Sequence, residues 1–323
     1  MSIKLICASH TPLMDHVETD PEIDGAVRAQ FSGLAKQVAE YDPELVVIFA
    51  PDHFKCVFYD MMPPFTVGIR AEAIGDYDIG GGTLNVPEAL AEDLVKSVHQ
   101  SGVDVASSYR LSVDHGFSQM LDLLKIDKAG YPVIPIHVNC AGTPLAPMAR
   151  IRAMGKAVGD WARQQNIRVL VLGSGGLSHD PPIPTLKGAP ADIAEKLISG
   201  HKPTLDERRA REQDNFVAAR ALARGEGHTL DLNADWDREF MHRMSAGDLQ
   251  YLDDLSESDI TQTAGCGGHE VRNWLAAYAA LSAFGDYTSQ ELIYHDISEW
   301  NAGMGISVAE PVADLNTAQQ FRS

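Results

Sequence analysis

The sequence predicts an α/β protein of three layers, with helices packed on both faces of a central, largely parallel or mixed sheet. Three observations point there. Short runs of Val, Ile and Leu bounded by turn formers recur at residues 3–8, 44–50, 132–138 and 167–173, as expected of strands buried on both faces. Helix-length stretches separate them, at 26–41, 87–102 and 147–166, and strand alternating with helix is how such a sheet is wound. Three of the runs also end at a histidine: IKLICASHTPL at His10, ELVVIFAPDHFK at His53 and RVLVLGSGGLSHDPP at His179. In open α/β sheets ligands bind beyond the carboxyl ends of the strands, where loops place polar groups without breaking the core. Three polar strand ends therefore suggest one shared crevice.

The remaining segments extend this plan. His115, in SVDHGFSQMLDLL, sits where a helix starts, and His269 and Glu270, in CGGHEVRNW, open another helix after a glycine turn. Residues 269–284, HEVRNWLAAYAALSAF, read as a strongly apolar helix packed on the sheet. Residues 188–260 are polar and charged, as in DERRAREQDNF and DLQYLDDLSESD. No Gly/Ser/Pro linker sets them apart, so they read as a helical excursion from the sheet domain.

Composition narrows the function classes. A chain of 323 residues, 45% hydrophobic and 22% charged, can bury a substantial core. Its formal net charge of −19 argues against nucleic acid or an acidic membrane surface, both of which call for clustered Lys and Arg. The start, MSIKLICASH, is too short in apolar residues for a secretory signal, and nothing approaches the ~18 apolar residues of a membrane span. A cytoplasmic protein is expected. Cys7, Cys56, Cys140 and Cys266 form no CxxC pair, so they read as reduced thiols rather than a zinc cluster or disulfide framework.

Two imidazoles and one carboxylate form the facial triad of non-heme Fe(II) oxygenases, which leaves positions open for substrate and dioxygen. His10 and His53 could supply the nitrogens from neighbouring strands. The carboxylate could come from Asp52, Asp114, Asp180 or Glu270, and position alone does not choose. Each histidine taken singly also has a plainer reading, as a helix cap or a backbone hydrogen-bond partner. His16, His99, His137, His201, His228, His242 and His295 lack the strand-end or helix-start context. His16, close to His10, is the least secure of these exclusions. HExxH is absent, which removes the usual zincin reading.

Five stretches taken in order, SHTPL, ELVVIFAPDH followed by FYDMMPPF, VDHGFSQ, VLGSGGLSHDPP and GHEVRNW, resemble the class III extradiol ring-cleaving dioxygenases, the superfamily of protocatechuate 4,5-dioxygenase. The likeness runs over nearly the whole chain. It implies one extradiol dioxygenase domain over residues 1–323 with Fe(II) held by His10, His53 and Glu270. It implies that His115 and His179 are the acid and base. The implied reaction is meta cleavage of a small catechol, 3-(2,3-dihydroxyphenyl)propionate and the related propenoate, with both atoms of O2 inserted, in aromatic catabolism. Members of such a family are similar in forming homo-oligomers, and the apolar helix after Glu270 offers a contact for one.

The chemistry gives these residues distinct tasks. A catechol loses its first proton only near the phenolic range, about pKa 10 by the tyrosine reference, so a neutral imidazole is needed as base; His179 is assigned that role and His115 the later proton donation. His269 reads as a neighbour that supports the ligands. Arg272, Lys55 and Arg110 lie near the motifs, each an ordinary structural charge first and a candidate for the substrate carboxylate second. Competing readings are the same chemistry on another catechol or an aminophenol, a metal-dependent hydrolase acting through metal-bound water, and a scaffold whose histidines are caps.

Overall fold

A computed structural model describes residues 2–226 and 230–312. His228 lies outside them. In chain order the strands are β1 (Ser2–Ala8), β2 (Leu45–Ala50), β3 (Phe65–Gly68), β4 (Ala71–Ala73), β5 (Gly82–Thr83), β6 (Ala106–Ser108), β7 (Leu111–Val113), β8 (Val133–Val138), β9 (Arg168–Ser174), β10 (Tyr287–Ile297) and β11 (Ala302–Pro311). The helices are α1 (Pro21–Tyr41), α2 (Glu88–Gln100), α3 (His115–Leu123), α4 (Ile126–Ala129), α5 (Met148–Ala162), α6 (Ala191–Ile198), α7 (Leu205–Ala223), α8 (Ala234–Ser245), α9 (Glu257–Ala264) and α10 (Val271–Ser282).

Eight strands form one mixed sheet in the order β10-β11-β1-β9-β2-β8-β3-β6. The middle of it, β1, β9, β2 and β8, is parallel, while β11 and β3 join antiparallel at either side. A small second sheet pairs β5, β4 and β7. The four aliphatic runs read from sequence are β1, β2, β8 and β9, and every residue of β2 and β8 is buried. Their side chains alternate between two cores. Leu5, Val47 and Phe49 face α2, α5 and α10, whereas Ile6, Val46 and Ile48 face α1 and α3, as the period of two requires. The three layers follow from this.

Helix α1 starts five residues before the predicted 26. Asp20 caps it, accepting from the Glu22 amide at 2.8 Å, with Pro21 at the first helical position. Asp-Pro-Glu is a start signal that outweighs the weak apolar periodicity of that turn.

Helix α10 is buried from Val271 to Leu281. It is wedged between β9 and α5 because glycines face it. A Cβ at Gly155 or Gly159 of α5 would run into the carbonyl oxygens of Ala276 and Ala280, and one at Gly173 of β9 would lie 3.1 Å from the Asn273 carbonyl. Backbone contact this close fixes the height of α10 on the sheet, and so of Glu270 just before it. A helix enclosed on all sides offers no surface to another copy, which overturns the expectation of an oligomer contact there. Within 188–260 the helices are α6, α7, α8 and part of α9.

Candidate active site

Strands β1, β9 and β2 lie side by side with Ala8 opposite Ser174 and Phe49 opposite Gly173, so their carboxyl ends finish at one level. His10, His53 and His179 follow those ends, and the structure brings all three together with His115 and Glu270. Glu270 Oε1 lies 3.1 Å from His53 Nε2 and 3.3 Å from His179 Nε2, and Oε2 lies 3.7 Å from His10 Nε2. His115 stands at the first residue of α3, behind the Asp114 cap.

The hydrogen bonds assign the ring protons. The Ser174 hydroxyl spends its one proton on the Gly116 carbonyl at 2.6 Å, so it must accept from His10 Nδ1 at 3.1 Å. His53 Nδ1, 2.8 Å from Asp114 Oδ2, must donate to that carboxylate. Both rings therefore turn Nε2 toward Glu270; burial works to lower the His53 pKa, but Asp114 and Glu270 hold it well above its ordinary range. Two imidazole nitrogens and a carboxylate converge on one point, where either a proton on His53 or a bound cation balances the charge of Glu270. This donor set fits a metal ion whose histidine ligands are each oriented by a partner on the far ring nitrogen.

His115 is oriented in the same way, donating Nδ1 to Asp76 Oδ2 at 2.6 Å. His10, His53 and His115 also place ligand atoms within 4.8 Å of one another, so geometry alone offers a second trio with His115 in place of Glu270. Charge separates the two. Three imidazoles bring no anion of their own, and Glu270, with its side chain only 3% exposed, is the buried carboxylate that approaches the Nε2 atoms of both His10 and His53.

The other carboxylates weighed from the sequence are committed elsewhere. Asp52 accepts from the amides of Lys55, Cys56 and Val57, and burial together with Asp114 pushes its pKa up to about 7. Asp180 accepts from the amides of Leu230 and Cys266. Asp114 holds His53 and caps α3 through the Gly116 amide. Burial would raise the Asp114 pKa, but His53 and His115 outweigh it and hold the carboxyl below its ordinary range.

Burial opposes the charge of Glu270 as well, and His179 and His10 overcome it, so this carboxyl too is held well below its ordinary range. At His10 burial prevails over Glu270 and pulls the ring down to about 3. The ring of His179 is fitted between two glycines. A Cβ at Gly267 would collide with the imidazole, and one at Gly176 would lie 2.6 Å from its Cε1. Its Nδ1 reaches the Leu177 carbonyl at 2.9 Å, and the loop behind it is tied to α8, because buried Asp237 accepts from the Ser178 amide and hydroxyl, both at 2.7 Å.

His269 does not support the proposed ligands. Its ring bonds Thr261 at 2.9 Å and Arg272 at 2.7 Å, and among the described residues no hydrogen bond joins it to His10, His53 or Glu270. His16 bonds the Tyr77 carbonyl and packs on Phe216, outside the cluster.

His10, His53, His115 and His179 line a cavity of about 310 Å³, at the small end of the ~300–1,000 Å³ of ordinary ligand pockets. Pro182, Ile183 and Trp300 give it apolar walls, and Arg211 and Asn215 bring α7 into its lining. Sequence reading passed over Asp76, Ser174 and Arg211. Ser174 stands in the GSGG turn and was open to notice; Asp76 and Arg211 carry no local signal. The four cysteines are free thiols, and among the described residues no helix is long and apolar enough to cross a membrane.

A family model described as the catalytic LigB subunit of aromatic ring-opening dioxygenase matches residues 4–305. A 2,3-dihydroxyphenylpropionate/2,3-dihydroxicinnamic acid 1,2-dioxygenase of Photorhabdus laumondii is 48% identical over 315 residues, 98% of this chain and 99% of that one. The protein of the same name from Paraburkholderia xenovorans is 44% identical over 314 residues, 97% of this chain and 99% of its own. The crystal structure of an uncharacterized protein from Escherichia coli K12 superposes with a TM-score of 0.51 at 14% identity, covering 95% of this chain and 98% of that one, a likeness of fold. With the strand-end cluster in place and the match spanning almost all of its length, this chain belongs to the LigB family of aromatic ring-opening dioxygenases.

Proposed function

We propose that the protein opens the ring of 3-(2,3-dihydroxyphenyl)propionate, and of the related propenoate, beside the catechol hydroxyls, using Fe(II) held by His10, His53 and Glu270. The observation that carries this reading is the convergence of the Nε2 atoms of His10 and His53 on one buried carboxylate beside the cavity. The names of the relatives from Photorhabdus laumondii and Paraburkholderia xenovorans support the substrate. When bound, Fe(II) supplies coordination for both catechol oxygens and a redox link between the ring and dioxygen.

The chain's own residues manage the protons. His179 donates Nδ1–H to the Leu177 carbonyl, which leaves Nε2 facing the cavity to take a catechol proton. Burial lowers the pKa of His179 and Glu270 more than offsets this. Were Glu270 to hold a metal, its pull on His179 would be weaker and His179 would serve as the base. His115 is buried and held below its ordinary range by burial, with Asp76 opposing. Once it carries a proton, Asp76 steadies the imidazolium and Nε2 can donate to the reacting oxygen. The apolar walls keep competing water out while this happens. The chain acts in this reading as one extradiol dioxygenase domain, in the cytoplasm, where its four thiols stay reduced, and as a homo-oligomer through a surface other than α10.

Anaerobic loading with Fe(II), followed by 2,3-dihydroxyphenylpropionate and then oxygen, should give a yellow ring-opened product with one O2 consumed per substrate. Oxygen uptake without a ring-opened product, or the same turnover with Zn(II), would sink the assignment. Replacing His115 or His179 by Gln should keep the metal and cut turnover by roughly 10²- to 10⁴-fold.

A further inference from the structure

Two cationic side chains other than histidine line the cavity, Lys55 and Arg211, and their surroundings differ. Lys55 is buried and spent. Its Nζ lies 2.6 Å from Asp76 and 3.8 Å from Glu212, with the Tyr77 ring 4.1 Å away. Arg211 is half-buried, and among the described residues no carboxylate lies within 4.0 Å of it. Of its five N–H donors, one on Nη1 goes to the Phe54 carbonyl at 3.0 Å. The rest of the guanidinium is uncommitted.

The helix beneath Arg211 is fixed over the site. Arg208, Arg211, Glu212 and Asn215 recur at helical spacing on one side of α7. Arg208 donates to the Ile74 carbonyl at 3.0 Å, Glu212 accepts from the Tyr77 amide at 3.1 Å, and Asn215 donates to the Tyr77 hydroxyl. These bonds tie α7 to the loops that carry His53 and Asp76. Phe54, which holds Arg211, is the residue after His53, and the guanidinium lines the same cavity as the histidines. The other cations weighed from the sequence are elsewhere. Arg272 is 2% exposed and bonded to His269, and Arg110 is exposed and does not line the cavity.

We propose that Arg211 is the specificity residue that binds the carboxylate on the substrate's side chain, with the Phe54 carbonyl aiming its guanidinium. This rests on the substrate reading given above. A guanidinium of fixed direction can offer a carboxylate two parallel N–H donors, and binding a remote carboxylate orients the ring over the metal site. The apolar walls do not tell an acid from a neutral alkyl chain, so the discrimination falls to Arg211.

The test compares wild type with Arg211→Met and Arg211→Lys, all loaded with Fe(II), on 2,3-dihydroxyphenylpropionate and on 3-propylcatechol, which has a chain of the same length and no carboxylate. The ratio of kcat/KM for the acid to that for the neutral catechol should fall about 10- to 100-fold in Arg211→Met, chiefly through KM, with part of it kept in Arg211→Lys. Calorimetric titration with 3-phenylpropionate should show a matching loss of affinity. A ratio that stays at the wild-type value, or both substrates losing kcat/KM in parallel, would show that Arg211 only braces the loop at Phe54 and would overturn the proposal. Failure of the wild-type enzyme to open either ring would instead remove the substrate reading, and the inference with it.

Discussion

His53 and His115 stack face to face, with ring centroids 4.3 Å apart and planes 19° from parallel, and each gives its Nδ1–H to a different buried carboxylate, Asp114 and Asp76. Two adjacent rings with separate anchors can serve separate ends. Asp114→Asn should weaken metal binding about 10- to 100-fold, because a coordinating histidine loses its orienting partner. Asp76→Asn should leave metal content near wild type and lower kcat by a similar factor, because it acts on His115. Metal titration beside steady-state turnover checks the pair; equal metal loss in both variants would merge the two roles.

Metal content also decides which group completes the set. Glu270→Gln should retain less than about a tenth of the wild-type metal, since it removes the anion that balances a buried dication. His115→Gln should retain it nearly in full. Elemental analysis of the purified variants settles this, and the opposite pattern would favour the three-histidine arrangement.

Gly267→Ala places a methyl group where the His179 imidazole sits. The ring must swing away from Glu270 and the cavity, so kcat should drop at least about tenfold, as expected when a catalytic group is displaced by about 1 Å, with metal content intact. Metal loss accompanying the drop would mean that the strain had spread to Glu270.

Gly155→Ala should lower stability by about 1–3 kcal/mol, because the added methyl meets backbone rather than a side chain that could turn aside. Urea unfolding of the metal-free protein measures this apart from catalysis. A change under about 0.5 kcal/mol would show that α5 and α10 separate easily.

Much of the site could be read directly because strand ends are local features. The runs before His10, His53 and His179 end visibly, and parallel pairing of β1, β9 and β2 does the rest. Position alone did not separate Glu270 from Asp52, Asp114 and Asp180, and only the resemblance pointed to it, because the seat of α10 against Gly155, Gly159 and Gly173 is a contact between distant segments. Arg211 was hidden for a related reason. In DERRAREQDNF every face of the helix is charged, and only the loops at Phe54 and Tyr77 reveal which face turns inward. Strands β10 and β11 escaped notice as well. A register shift between Glu291 and Ile293 breaks the alternation of β10, and the glycines of β11 look like turn formers. Gly303 and Gly305 instead make room for Asp237, Leu177 and Met241.

The convergence of His10, His53 and Glu270 joins points 217 residues apart in the chain at His53 and Glu270 and farther apart at His10 and Glu270. Strand β1, which leads to His10, is also paired on one side with β11, almost the last part described. A chain emerging from the ribosome thus has its two imidazoles long before it has its carboxylate, and has that before its first strand is flanked on both sides. Contacts of such long range form late. A polypeptide that stops short of Glu270 therefore has the imidazoles of the cluster without its carboxylate.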